Sequence, residues 1–67
     1  MVDKALLLDT LKGKNISVKT ISDAMGIDSS TFYRKINGES EFTRRELEVF
    51  KKNVNVSTKV LMAIFFA

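Results

Sequence analysis

Between Val18 and Gly38 the chain reads VKTISDAMGIDSSTFYRKING, and two apolar stripes at helical spacing meet there across a single glycine. Ile21, Ala24 and Met25 give the first segment an apolar side, and Ile27, Phe32 and Ile36 do the same for the turn and the second segment. Gly26 stands where the chain has to reverse, a place where a side chain would collide or a positive φ is required. The pattern predicts two short helices folded across a tight turn. Ser29, Ser30, Tyr33, Arg34 and Asn37 are then left on the outside of the second helix.

What the chain lacks decides how such a pair is held. Its 67 residues contain no cysteine and no histidine, which excludes disulfides and argues against a zinc site. The fold has to rest on the apolar 45% of the chain. A core of this size typically leaves roughly 3–5 kcal/mol of net stability, so pairing with a second chain would help.

The rest of the chain supplies helices on either side. DKALLLDTLK, residues 3–12, reads as a helix capped by Asp3 and stopped by Gly13, with Leu7, Leu8 and Leu11 on one face, Ala5 beside them and Leu6 partly outward. Ser17 is a cap for the helix from about Val18 to Met25. Asp28 caps the next, a role Ser29 or Ser30 can share, and Asn37-Gly38 ends it. The sharpest local signal is FTRREL. Thr43 and Glu46 have capping-box spacing and Phe42 and Leu47 the spacing of a hydrophobic staple, which predicts a helix from Arg44 to about Lys52 with Leu47 and Phe50 inward.

The stretch from Asn53 to Ser57 stays open. NVNV alternates as a short strand would, whereas Ser57 ahead of KVLMAIFFA is a cap, which favours a final helix over Thr58 to Phe65. The apolar run from Val60 to Ala67 is far shorter than the ~20 residues a membrane-spanning helix needs. Val60, Leu61, Ile64 and Phe65 are expected to face inward. Met62 and Phe66 are left over, and they are the candidate contact with a second chain.

Eleven basic and eight acidic side chains give a formal charge of +3, which permits nucleic-acid binding without arguing for it. The N-terminus carries Asp3 and Asp9 and no long apolar core, so a signal peptide is not expected and a cytoplasmic protein is the default. Without His, Cys or a glycine-rich phosphate loop, and with too little chain to enclose a pocket, an enzyme is not expected, nor a cofactor or small-molecule substrate.

A helix-turn-helix uses its first helix to cross the DNA backbone and its second to read base edges. It needs small residues at the crossing, which Ser22 and Ala24 offer, a turn residue such as Gly26, and anchors such as Phe32 and Ile36 one helical turn apart. The same spacing also fits an αα-hairpin in a small bundle, with the outward residues merely solvated.

The run ISVKTISDAMGIDSSTFYRKING closely resembles the helix-turn-helix of the Cro/C1-type (XRE-like) DNA-binding family. With ESEFTRRELEVFKKNVNVS and the terminal IFFA, the chain resembles small phage Cro-like repressors over about residues 4 to 67. The resemblance implies an all-α, lambda-repressor-like DNA-binding domain of about five short helices. It further implies double-stranded operator DNA as partner, a homodimer on a two-fold site, and transcriptional repression without enzymatic activity or cofactor. Carried over by position, Ser29, Ser30, Thr31, Tyr33 and Arg34 match the base-reading face, Arg34 being suited to a guanine. Lys19 and Thr20 match positions that hold the DNA backbone. Arg44 and Arg45, at a helix N-terminus, are further backbone candidates, with Lys35, Asn37 and Ser40 after them. Ser22 replaces an alanine frequent in the family, and Asp28, Glu39 and Glu41 put negative charge close to the proposed DNA face. The competing reading is an antirepressor or antitoxin-like module that binds a protein through its apolar C-terminus.

Overall fold

Five short helices, each opened by a side-chain cap, account for most of the chain in a computed structural model that describes residues 1–67: α1 (Lys4–Gly13), α2 (Val18–Met25), α3 (Ser29–Ile36), α4 (Arg44–Val54) and α5 (Thr58–Phe65). There is no strand. Side-chain oxygens of Asp3, Ser17, Asp28, Thr43 and Ser57 accept the N–H groups of Leu6, Thr20, Thr31, Glu46 and Val60 at 2.7–3.2 Å. Each satisfies a backbone donor that the helix itself cannot, a contribution of about 1 kcal/mol. Thr43 and Glu46 complete the expected capping box, because Glu46 Oε1 also accepts the Thr43 N–H at 2.9 Å.

The helix ends follow one recipe. Asn15, Gly26, Gly38 and Asn55 all have positive φ and end α1 to α4 in turn. In three cases the next residue is apolar, donates its N–H back into the helix just ended, and returns to the core: Ile16 to Leu11, Ile27 to Ser22, Val56 to Lys51. The residue after that is the next cap, so Asn-Ile-Ser, Gly-Ile-Asp and Asn-Val-Ser are three copies of one connector.

This corrects two boundaries. Gly13 is the last residue of α1 and does not stop it; Asn15 does, in the left-handed region that asparagine tolerates. The alternation at Asn53 to Val56 is not a strand either. Val54 closes α4, two residues beyond the expected end, and Val56 belongs to the connector. The final helix does run from Thr58 to Phe65.

Each helix gives two residues to one core: Leu7 and Leu11, Ile21 and Met25, Phe32 and Ile36, Phe50 and Val54, Ile64 and Phe65. Within it Phe32, Phe42, Phe65 and Phe50 form an edge-to-face chain with centroids 5.0–5.7 Å apart, which links α3 to α5 and α4 through the α3–α4 connection. Phe42 and Leu47 are half-buried against the core, as a staple requires. Three small misplacements follow from reading faces without neighbours: Ala5, Ala24 and Val60 are exposed, not inward. No helix is long and apolar enough to cross a membrane.

Candidate nucleic-acid interface

The eight residues of α3 are fixed from both ends and from behind. Asp28 caps the start, accepting the Thr31 N–H at 2.7 Å and the Ser30 hydroxyl at 2.8 Å. The Thr31 backbone bond first, and then the Ser30 hydroxyl, hold the Asp28 carboxyl below its ordinary value, so it stays ionised. At the other end the N–H groups of Gly38 and Glu39 donate to the carbonyls of Lys35 and Arg34, and Gly38 supplies the left-handed residue this closure needs. Phe32 and Ile36 are buried beneath.

The outward side of α3 carries Ser30, Tyr33 and Arg34, all exposed, with Asn37 following and Ser29 and Thr31 half-buried beside them. Tyr33 retains 41% exposure although its ring meets Phe32 edge-on. Arg34 lies back along the helix and donates one Nη2 hydrogen bond to Thr31 Oγ1 at 3.3 Å; it is exposed and forms no salt bridge. Ser29, Ser30, Thr31, Tyr33 and Arg34 therefore share one helix, anchored from beneath by Phe32 and Ile36, and Asn37 caps its end.

The expected backbone set divides. Lys19 and Thr20 are exposed at the start of α2; Lys19 pairs with Asp23 at 2.8 Å, and the hydrogen bond and charge of Asp23 raise the Lys19 pKa. Arg44 is almost fully exposed and reaches Glu48 at 3.2 Å, an ion pair of the exposed kind that restrains little. Asn37 accepts from Lys4 Nζ at 3.0 Å, and Ser40 is exposed. Arg45, though exposed, donates to the Met25 carbonyl at the end of α2. It thereby satisfies a helix-terminal acceptor in addition to any outward role.

Lys35 corrects the sequence reading. It was expected among the exposed backbone contacts, but it is buried and its Nζ donates to Glu46 Oε1 and Oε2 at 2.6 and 2.9 Å. The same ammonium lies 5.9 Å from the Phe42 ring centroid. Burial pushes the Glu46 carboxyl up, yet the hydrogen bonds from Lys35 and from the Thr43 N–H outweigh it and hold Glu46 below its ordinary 4.5. Glu46 and Phe42 thus position α3, a role that sequence reasoning missed. The one available signal was that Glu46 is already fixed by its capping box, which aims a carboxylate at a predictable place.

The local charge is not what a phosphate surface would lead one to expect. Residues 19–48 hold five basic and six acidic side chains, for a net −1. Glu39 and Glu41 are exposed and form no ion pair.

At the far end of the chain, Met62 and Phe66 are 49% and 59% exposed, as their leftover positions predicted. Phe66 lines an open groove together with Met1, Val2, Ile36, Phe42 and Leu47. The Asp3 N–H donates to the Ile64 carbonyl at 2.7 Å and the Ala67 N–H to the Met1 carbonyl at 3.0 Å, so the two chain ends form one wall of that groove.

Comparison with protein-family models, with curated proteins and with solved structures gives no match to this chain.

Proposed function

We propose that the protein is a sequence-specific regulator that binds double-stranded DNA, a phage-type Cro-like repressor in which α2 and α3 act as a helix-turn-helix. In this reading α3 enters the major groove of an operator. The exposed Arg34 addresses a guanine, and Ser29, Ser30, Thr31 and Tyr33 supply the remaining contacts. Ser30 donates its proton to Asp28, so toward a base it acts as an acceptor. Lys19, Thr20, Asn37, Ser40, Arg44 and, in part, Arg45 meet phosphates. Lys35 leaves this set.

The observation that carries the reading is α3 itself: a short helix fixed by a cap, two core anchors and a buried ion pair, with polar side chains on its outward side. Base reading needs donors and acceptors carried on a helix whose own position is fixed, and α3 meets that need. Two copies related by a two-fold axis would read two half-sites. The exposed Met62 and Phe66 are the proposed contact between them, and the protein would act in the cytoplasm on the bacterial nucleoid.

The same exposed pair favours one second reading, an antirepressor or antitoxin-like module that docks a protein partner on α5. Titration of duplex DNA at several salt concentrations separates the two. A repressor binds at low salt and loses affinity steeply as salt rises, because phosphate counterions are released on binding. A module of the second kind shows no such binding.

A further inference from the structure

Most of the excess positive charge of the chain lies away from α3, since of the basic side chains outside residues 19–48 only Lys4 bonds to its end, at Asn37. Outside residues 19–48 there are six basic side chains and two acidic ones, a net +4 against the −1 of the central segment. Five of the six are Lys12, Lys14, Lys51, Lys52 and Lys59, all exposed and none in an ion pair. They sit at or beside the helix ends that flank two connectors. Lys14 Nζ donates to the Asn55 carbonyl at 3.3 Å, which joins the α1–α2 connector to the α4–α5 connector. Lys12 lies in the last turn of α1, Lys51 and Lys52 in the last turn of α4, and Lys59 in the first turn of α5.

Helix ends alone do not account for this corner. Lysines in a last turn are favoured by the negative end of the helix, which covers Lys12, Lys51 and Lys52. Lys59 is at the opposite kind of end, where a cation is disfavoured, and no carboxylate compensates it. On α1 the nearest carboxylate in sequence is Asp9, and on α4 it is Glu48, which pairs with Arg44 and lines a groove with Lys52 but forms no ion pair with it.

We infer that this lysine corner is a second docking surface for the phosphodiester backbone of duplex DNA, independent of base sequence. The inference rests on the DNA-binding reading and supplies what that reading lacks. A net-negative central segment does not attract a polyanion from a distance, and counterion release needs cations at phosphates. The corner is placed to act with α3, because Lys14 is three residues before Ser17, the cap of the helix whose start carries Lys19 and Thr20. Contacts there would extend the track of phosphates met by α2 to the α4–α5 junction.

The test is a triple variant, Lys51→Gln with Lys52→Gln and Lys59→Gln, which leaves the Lys14–Asn55 bond in place. Circular dichroism and thermal melting establish that it folds as the parent does. Binding is measured on random-sequence duplex and on a duplex selected for tight binding, each across a salt series. The expected result is a slope of log K against log salt flattened by about 2 or more, with affinity reduced roughly tenfold or more at 0.1 M salt, equally for both duplexes. Parent-like slope and affinity on both would overturn the inference and leave the α3 reading standing. A parent protein that binds neither duplex at low salt overturns both.

Discussion

Lys35 on α3 and Glu46 in the first turn of α4 form a buried ion pair, with the ammonium 2.6 and 2.9 Å from the two carboxylate oxygens and the side chains only 10% and 6% exposed. A charge so placed is tolerable only while its partner is present. Glu46→Ala strands the ammonium and removes half of the capping box, with an expected loss of about 3–5 kcal/mol, comparable to the whole stability of a domain this small. Lys35→Met combined with Glu46→Gln keeps the box, since glutamine also serves there, and is expected to recover most of that loss in urea denaturation. A double variant as unstable as Glu46→Ala would show that the loss does not come from a stranded ammonium.

The same carboxylate makes stability depend on acid. Glu46 holds its charge more strongly in the folded protein than in the unfolded chain, so the unfolded state takes up more protons as pH falls. Stability is expected to be full above about pH 5. It should decline as pH falls through the ordinary 4.5, and stop declining only below the lowered folded value. Asp28, likewise held low by its capping bonds, adds in the same direction. Urea midpoints between pH 6 and 3 measure the decline, and Glu46→Gln should reduce it. A decline of unchanged size in that variant would assign it to other carboxylates.

Ser22 is fully buried, and its hydroxyl has no hydrogen-bond partner. Ser22→Ala removes an unsatisfied polar group and improves helix propensity at once. The expected gain is about 1 kcal/mol, or roughly 4–8 °C in melting temperature for a domain of this size. A lower melting temperature would mean that the hydroxyl is satisfied in solution.

Phe66→Glu puts a charge on a side chain that is 59% exposed, so the folded monomer should be nearly unaffected. If Phe66 joins two copies, sedimentation should show fewer dimers while the helical signal persists. An unchanged distribution in a protein that is dimeric to begin with would move the contact elsewhere.

On DNA, Arg34→Ala is expected to lower preference for a selected site by about 1–3 kcal/mol while binding to random duplex changes little. Arg44→Ala should weaken both equally and flatten the salt dependence by about 1 unit of slope. Arg44 is a cleaner probe than Arg45, whose bond to the Met25 carbonyl would be lost as well. Equal losses of preference from the two variants would contradict this division of roles.

Helix starts were legible in the sequence because a cap is local chemistry: Asp3, Ser17, Asp28, Thr43 and Ser57 each act on a backbone group three residues away. Helix ends were less so. Gly26 and Gly38 are the usual left-handed residues, but Asn15 and Asn55 adopt the same conformation without glycine's signal. The outward side of α3 followed from helical spacing. The burial of Lys35 did not, since its partner is 11 residues away on another helix and Phe42 packs beside the ammonium from the connection between them. Nor did spacing show that the lysine-bearing ends of α1 and α4 meet, which follows from the bond between Lys14 and the Asn55 carbonyl.

The most direct measurement is selection of bound sequences from a pool of random duplexes at low salt. Base reading by α3 in a dimer predicts strong enrichment of one motif, with two half-sites of opposite orientation about one helical turn, ~34–36 Å, apart. A pool that stays random after repeated rounds, from a folded protein, would contradict it.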